Sequence, residues 1–122
     1  MAEGWARRLG SELVEARSAG IEAHGQNPRA IAVMSEAGVD ISDQESTRLT
    51  SEMLDWADLV VTVCGHADEH CPILPPATQK QHWPIDDPAK ASGDEEIVMV
   101  EFRACRDEVQ RQVKSLLIRI GE

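Results

Sequence analysis

The sequence predicts an α/β domain in three layers, with a parallel sheet flanked by helices. Three observations support this class. Segments with strand-like patterns alternate along the chain with segments of helical spacing, which is typical of parallel sheets. The run Leu59-Val60-Val61-Thr62-Val63 is mostly aliphatic and β-branched, as in a buried parallel strand. The C-terminal part repeats apolar residues every three or four positions, which is the pattern of one face of a long helix.

The first predicted helix covers residues 1–10. Trp5, Ala6 and Leu9 recur there at helical spacing, and Gly10 interrupts the pattern. Residues 14–21 follow as a short predicted strand that ends near Gly20.

The next two helices carry clear start and stop signals. Asn27-Pro28 predicts a helix start, because Asn is a favoured N-cap and Pro is favoured at the first helical position. Gly38 closes this helix as a left-handed cap. A shorter helix begins at Thr50 or Ser51 and ends at Trp56.

The second half of the chain holds two further strands and one long helix. Residues 58–64 form the next strand, which we expect to be buried on both faces because its apolar run is continuous. Residues 65–79 are a loop, and residues 80–85 are the last strand. Asp94 then caps a long helix, whose predicted apolar face consists of Val98, Phe102, Cys105, Val109, Val113, Leu116 and Ile120.

Composition restricts the classes of partner. A chain of 122 residues fits a single domain, residues 1–122. Its formal net charge of −10 repels nucleic acid and anionic membrane surfaces, so we expect neither as a partner. The sequence shows no apolar stretch of membrane-spanning length and no secretory leader, so we expect a cytoplasmic protein.

Two cysteines follow the apolar run. Cys64 stands at its end and Cys71 seven residues later, so the strand would carry one thiol to the sheet edge with a second thiol nearby. Cytosolic cysteines are more often reactive than structural, whereas Cys105 falls on the apolar helix face and is expected in the core. His66 and His70 with the two cysteines offer zinc as an alternative, but their spacing fits no structural zinc pattern. We expect no metal and no cofactor.

Taken in order, these segments resemble the thioredoxin-coupled arsenate reductases, which share the low-molecular-weight tyrosine phosphatase fold. The resemblance covers nearly the whole chain and agrees in order and approximate spacing. It is carried by Met1-Ala2-Glu3-Gly4-Trp5-Ala6, Ser18-Ala19-Gly20-Ile21-Glu22, Asn27-Pro28-Arg29-Ala30, Gly38-Val39-Asp40-Ile41-Ser42, Ala57-Asp58-Leu59-Val60-Val61-Thr62-Val63-Cys64, His82-Trp83 and Asp86-Asp87-Pro88-Ala89.

The resemblance implies a relay of three thiols. A thiolate in the phosphate loop attacks arsenate, while backbone N–H groups and an arginine hold the oxyanion. Cys64 matches the second thiol, which attacks the adduct and releases arsenite. Cys71 matches the third, which resolves that disulfide before thioredoxin reduces the final pair. Asp87 matches the general acid that protonates a leaving oxygen.

The resemblance also implies a brace for the phosphate loop. Glu3 and Ser18 match residues that support this loop, in some members through a bound monovalent cation. A further acid of that cation site falls near Thr47, so the cation is not carried over to this chain.

The family's first strand has no counterpart ahead of the first helix, and we expect no Cys-x5-Arg loop anywhere in the chain. We therefore expect an N-terminally truncated chain that lacks the nucleophilic cysteine and the arginine and does not reduce arsenate by itself. In the family this first strand is central in the sheet, so its absence would expose the strand edges at residues 14–21 and 58–64. A homo-oligomer that fills the vacated sheet position would pair these strand edges.

Two other functions stay open. One is a non-catalytic protein derived from the family, with a dithiol switch at Cys64 and Cys71 or a binding role. The other is a relative of the low-molecular-weight tyrosine phosphatases. The paired thiols argue against the phosphatase, because phosphatases of this fold need no relay.

Overall fold

The computed structural model describes residues 1–20, 27–44, 47–63, 73–85, 88 and 91–121. The elements run in the order α1 Ala2–Gly10, α2 Pro28–Glu36, α3 Ser51–Trp56, β1 Leu59–Thr62, β2 Gln79–His82 and α4 Glu95–Ile120. The chain divides into two units. Residues 1–18, 25–45 and 87–122 form a helical unit, and residues 19–24 and 46–86 form a strand unit.

In the helical unit, α4 packs against both α1 and α2. Phe102 and Val98 of α4 and Val33 of α2 form a buried cluster. Two glycines allow close approach to α1, because a Cβ on Gly4 would lie 2.6 Å from Ile41 Cγ2 and one on Gly10 would lie 2.5 Å from a Leu117 methyl carbon. The other buried apolar side chains of this unit are Trp5, Met34, Val39, Ile41, Val109, Val113 and Leu117.

Ion pairs join α2 to α4 at the surface of this unit. The guanidinium of Arg29 donates to Glu95 at 2.6 and 2.9 Å, and that of Arg103 donates to Glu36 at 2.9 and 3.1 Å. Arg106 donates to the Val33 carbonyl at 2.9 Å. Since Val33 lies in the last turn of α2, where carbonyls lack helical partners, Arg106 satisfies one of them.

The predicted helix signals are confirmed. Asn27 Oδ1 accepts a hydrogen bond from the Arg29 N–H at 2.9 Å, and Asp94 Oδ1 accepts one from the Ile97 N–H at 2.9 Å. Thr50 caps α3 by accepting from the Met53 N–H at 3.3 Å. Gly38 has a φ of 82°, the left-handed conformation that glycine adopts without strain.

In the strand unit, β1 and β2 pair in parallel, with Leu59 opposite Gln79 and Thr62 opposite His82. The carboxyl ends of both strands therefore lie at one edge of the sheet. Gly20 forms an isolated parallel bridge with Arg48. The α/β class with a parallel sheet is confirmed, and the described part of this sheet has two strands.

The predicted strand over residues 14–21 is wrong for its described part. Residues 14–19 form no strand, and only Gly20 makes a bridge. Side chains of α1 occupy the backbone groups that a strand would use, because Arg7 donates to the Ala16 carbonyl at 3.2 Å and Glu3 accepts from the Ser18 N–H at 2.8 Å. Ile21 lies outside the described residues.

The two later strands are shorter than predicted. β1 covers Leu59–Thr62, and its first three side chains are half-buried rather than buried, since β2 is its one strand neighbour among the described residues. β2 ends at His82 instead of residue 85. The Trp83 N–H still donates to the Thr62 carbonyl at 2.8 Å, but Pro84 has no N–H to continue the ladder.

The apolar face of α4 was predicted correctly over its first part. Val98, Phe102, Val109 and Val113 are buried, and Cys105 and Leu116 are half-buried. Near the end Ile120 is 42% exposed and Leu117 is buried in its place, because Leu117 packs against Gly10 of α1. Within the residues that the structure covers, no helix has the length and apolarity to span a membrane.

Candidate functional site

The start of α1 is tied to the segment that follows it. Glu3 Oε1 accepts hydrogen bonds from the Ser18 N–H at 2.8 Å and the Ser18 hydroxyl at 3.1 Å. The Glu3 side chain is 9% exposed, and its other oxygen lies 3.7 Å from Arg7 Nε. The carboxylate of Glu3 therefore ties Ser18 to the first turn of α1, and the two residues that the resemblance pairs as a brace are in contact.

A second polar pair lies at the carboxyl edge of the parallel sheet. Thr62 Oγ1 and His82 Nδ1 are 2.7 Å apart, in a hydrogen bond whose donor depends on the imidazole tautomer. Thr62 is 6% exposed, whereas His82 is exposed. Catalytic groups in parallel α/β sheets gather at this edge, so the pair lies where chemistry is expected.

Sequence reasoning did not single out Thr62. Thr62 could have been recognised in the sequence, because it is the one hydroxyl residue in the apolar run that precedes Cys64. Next to the pair, the indole N–H of Trp83 donates to Gln81 Oε1 at 3.1 Å. Trp83 itself is 6% exposed, so this indole anchors the chain just beyond His82.

The three predicted catalytic residues, Cys64, Cys71 and Asp87, lie outside the described residues. The same holds for His66 and His70 of the zinc alternative. Their roles therefore remain predictions.

The expectation that no Cys-x5-Arg sequence occurs in the chain was wrong. The Cys-x5-Arg spacing does occur in this chain, from Cys105 to Arg111, but both residues lie within α4. Six positions on a helix place two side chains about 120° apart, and the backbone N–H groups between them are used by the helix. This spacing therefore makes no phosphate cradle, and Arg111 pairs instead with Glu108.

In the helical unit, the pKa values of several groups are shifted by burial or by hydrogen bonds from arginine. Burial lowers the pKa of the Met1 amino group below its ordinary value, and the charges of Cys105 and Glu3 oppose that change. The hydrogen bond from Arg103 lowers the pKa of Glu36, and that from Arg29 lowers the pKa of Glu95. Both carboxylates therefore lose their protons more readily than an ordinary glutamate, and each pairs with an arginine on the neighbouring helix.

Comparison with known proteins places the chain in a family. The family model described as low molecular weight phosphotyrosine protein phosphatase matches residues 1–122. The arsenate reductase of Halalkalibacterium halodurans is 48% identical over 115 residues, which cover 94% of this chain and 83% of that protein.

Solved structures agree with this assignment. An arsenate reductase in the phosphate binding state superposes with a TM-score of 0.78 at 34% identity, covering 98% of this chain and 86% of the other. A thioredoxin-dependent arsenate reductase of Corynebacterium glutamicum superposes with a TM-score of 0.71 at 26% identity, covering 98% of this chain and 53% of that one. The chain belongs to the low molecular weight phosphotyrosine protein phosphatase family, and within it to the arsenate reductases.

Proposed function

We propose that this protein takes part in the reduction of arsenate to arsenite through a thiol relay that thioredoxin regenerates. The 48% identity to an arsenate reductase across 94% of the chain carries this proposal. The Glu3–Ser18 contact in the helical unit supports it, because the resemblance pairs these two residues as a brace for the phosphate loop.

In the proposed cycle, two electrons pass from thiols to arsenic. A nucleophilic thiolate bonds to arsenate, and Asp87 protonates the oxygen that leaves as water. The Cys64 thiolate then attacks the sulfur of the adduct, so that the As–S bond breaks, arsenite leaves and a disulfide forms. Cys71 attacks that disulfide and leaves a Cys64–Cys71 bond, which thioredoxin reduces by thiol–disulfide exchange.

The first step needs a cysteine in an oxyanion-binding loop. Of the cysteines in these 122 residues, two are assigned to the relay and Cys105 lies in α4. We therefore propose that the polypeptide as it stands binds no arsenate productively and has no arsenate reductase activity. Loss of both the nucleophile and its electrostatic site removes most of the rate enhancement.

The proposed partners follow from this chemistry. Thioredoxin is the reductant, and arsenate is a substrate once a Cys-x5-Arg loop is supplied. Reduction by thioredoxin fits a cytoplasmic location, where disulfides are kept reduced. A homo-oligomer that fills the vacated sheet position is part of the same proposal, because unpaired strand edges attract other strands.

A pair of proteins tests the proposal. One is the 122-residue chain, and the other carries at its N-terminus a strand and Cys-x5-Arg loop taken from an arsenate reductase relative. We expect arsenate-dependent oxidation of thioredoxin only with the extended protein, and loss of that activity on Cys64→Ser or Cys71→Ser substitution.

Two results would contradict this assignment. Turnover by the 122-residue chain above its Cys64→Ser control would show that the added loop is not needed. A folded extended protein without turnover would favour a family member that has kept the fold and a dithiol switch but lost the chemistry.

A further inference from the structure

The helix α4 carries exposed apolar residues on the side away from its core face. Ile97 is 52% exposed, Val100 54% and Ile118 66%, and Ala104 is also exposed. Steps of three and four residues connect positions 97, 100, 104, 107, 111, 114 and 118, which therefore lie along one side of the helix. We call this row of residues the outer face of α4. Single exposed aliphatic side chains are ordinary on protein surfaces, but these have the spacing with which two helices pack together.

The charges on and beside the outer face are separated along the helix. Residues 94–101 contain four acidic residues and no basic one, whereas residues 109–121 contain three basic residues and no acidic one. Charges at helix ends interact with the helix dipole only within the first and last turns, and Glu101 and Lys114 lie beyond those turns of α4. Both are exposed, and neither side chain forms an ion pair with any other described residue. The packing of the helical unit therefore does not account for these two charges.

Antiparallel pairing of two copies of α4 would satisfy both features, because the acidic half of each helix then lies against the basic half of the other. The outer faces interdigitate in a register that sets Val100 of one copy opposite Ile118 of the second copy. The residues that face each other in this register are Ile97 and Gly121, Val100 and Ile118, Ala104 and Lys114, and Asp107 and Arg111. Glu101 then lies about 4.5 Å from Lys114 along the helix axis, a distance that a lysine side chain can span.

We propose that the outer face of α4 is a self-association surface, on which two copies of the chain pair as an antiparallel dimer with two-fold symmetry. Such an interface is self-complementary, so each of its contacts occurs twice. The contact uses neither the cysteines nor the strand unit. It is therefore separate from the proposed reaction and from association through the vacated sheet position.

The net charge of the chain sets the conditions under which this dimer forms. Two copies repel each other at long range, because each carries a formal charge of −10. At about 0.15 M salt the Debye length is about 8 Å, so most of this repulsion is screened while side chains in contact still attract. A second copy fits the outer face despite its net charge, because the order of charges along α4 is complementary to itself.

The test measures the dissociation constant of the dimer by sedimentation at about 0.15 M salt, with a reductant present to prevent disulfide-linked dimers. The unsubstituted chain should show a monomer–dimer equilibrium that depends on concentration. Glu101→Lys and Lys114→Glu should each raise the dissociation constant about tenfold, because each change sets like charges against each other twice in every dimer. An equimolar mixture of the two variants should recover a dimer with one copy of each, since opposite charges then meet at both places.

Glu52→Lys is the matched control, because it makes the same change in net charge at an exposed position in α3 and should not weaken the dimer. Far-ultraviolet circular dichroism checks that each variant keeps its helices. A strictly monomeric unsubstituted chain, an equal weakening by Glu52→Lys, or a mixture that associates no better than its components would overturn the inference. Dimers that persist unchanged in Glu101→Lys and Lys114→Glu would also overturn it, in favour of association through the vacated sheet position.

Discussion

At the scale of single residues, Glu3 does the most to organise the described part of the site. Its carboxylate is largely buried and accepts two hydrogen bonds from Ser18, and Arg7 lies beside it. Hydrogen bonds to a charged acceptor stabilise more than those between neutral groups, but Ser18 is exposed, so water can replace part of this contact when the carboxylate is removed.

Glu3→Ala should therefore lower the free energy of unfolding by about 0.5–1.5 kcal/mol. Urea denaturation measures the change, with Glu12→Ala as the control because Glu12 is exposed and should shift stability by less than about 0.5 kcal/mol. Combining Glu3→Ala with Ser18→Ala should cost less than the sum of the single changes. Strict additivity would mean that the two side chains do not interact in solution.

At the scale of elements, charge pairs join α2 to α4. Glu36 accepts hydrogen bonds from Arg103 and Arg106, and Glu95 accepts from Arg29. The partners are 66 to 70 residues apart in the chain. These pairs lie on the surface, so each contributes little by itself, but together they set the pH dependence of this helix contact.

Acid should weaken the contact between α2 and α4. The hydrogen bond from Arg103 holds the folded-state pKa of Glu36 below its ordinary value of 4.5. The folded state therefore binds this proton less readily than the unfolded state, and the stabilisation is present above pH 4.5 and lost as the pH falls through the folded-state pKa.

The free energy of unfolding, measured with denaturant at several pH values from 7 down to 3, reports this effect. Paired carboxylates titrate within this range, between about pH 3 and 5. In Glu36→Gln the free energy of unfolding should fall less steeply as the pH is lowered. Glu52→Gln changes an exposed position and should show the same pH dependence as the unsubstituted protein. If Glu36→Gln and the unsubstituted protein lose stability equally at acid pH, this pair does not contribute to the pH dependence of stability.

At the scale of the whole molecule, the three cysteines divide between the two parts of the chain. Cys105 is half-buried in α4, whereas Cys64 and Cys71 lie in the stretch between β1 and β2. A disulfide between two cysteines seven positions apart closes a small loop, and closing a small loop costs little chain entropy.

Mild oxidation should therefore link Cys64 to Cys71 and leave Cys105 as a thiol. Thiol alkylation followed by peptide mass spectrometry identifies the bridge, and Cys105→Ala provides the control, since it should leave the yield of the bridge unchanged. A dominant disulfide that contains Cys105 would contradict the relay assignment.

Much of the secondary structure was predictable because its signals are local. Asn27, Thr50 and Asp94 each cap a helix through a backbone N–H two or three residues away, so the residues that decide the helix start are neighbours in sequence. Gly38 ends α2 for a similar local reason. Family membership was also accessible, since it depends on the order of short segments along the chain.

The tertiary structure decided what depends on distant residues. Residues 14–19 have strand-like composition in part, but Arg7 and Glu3 of α1 bind their backbone groups, and no local pattern reveals that competition. Leu117 rather than Ile120 is buried because Gly10 of α1 leaves room for it. The Thr62–His82 pair depends on the register of two parallel strands, and register is set by contacts between chain segments rather than within either one.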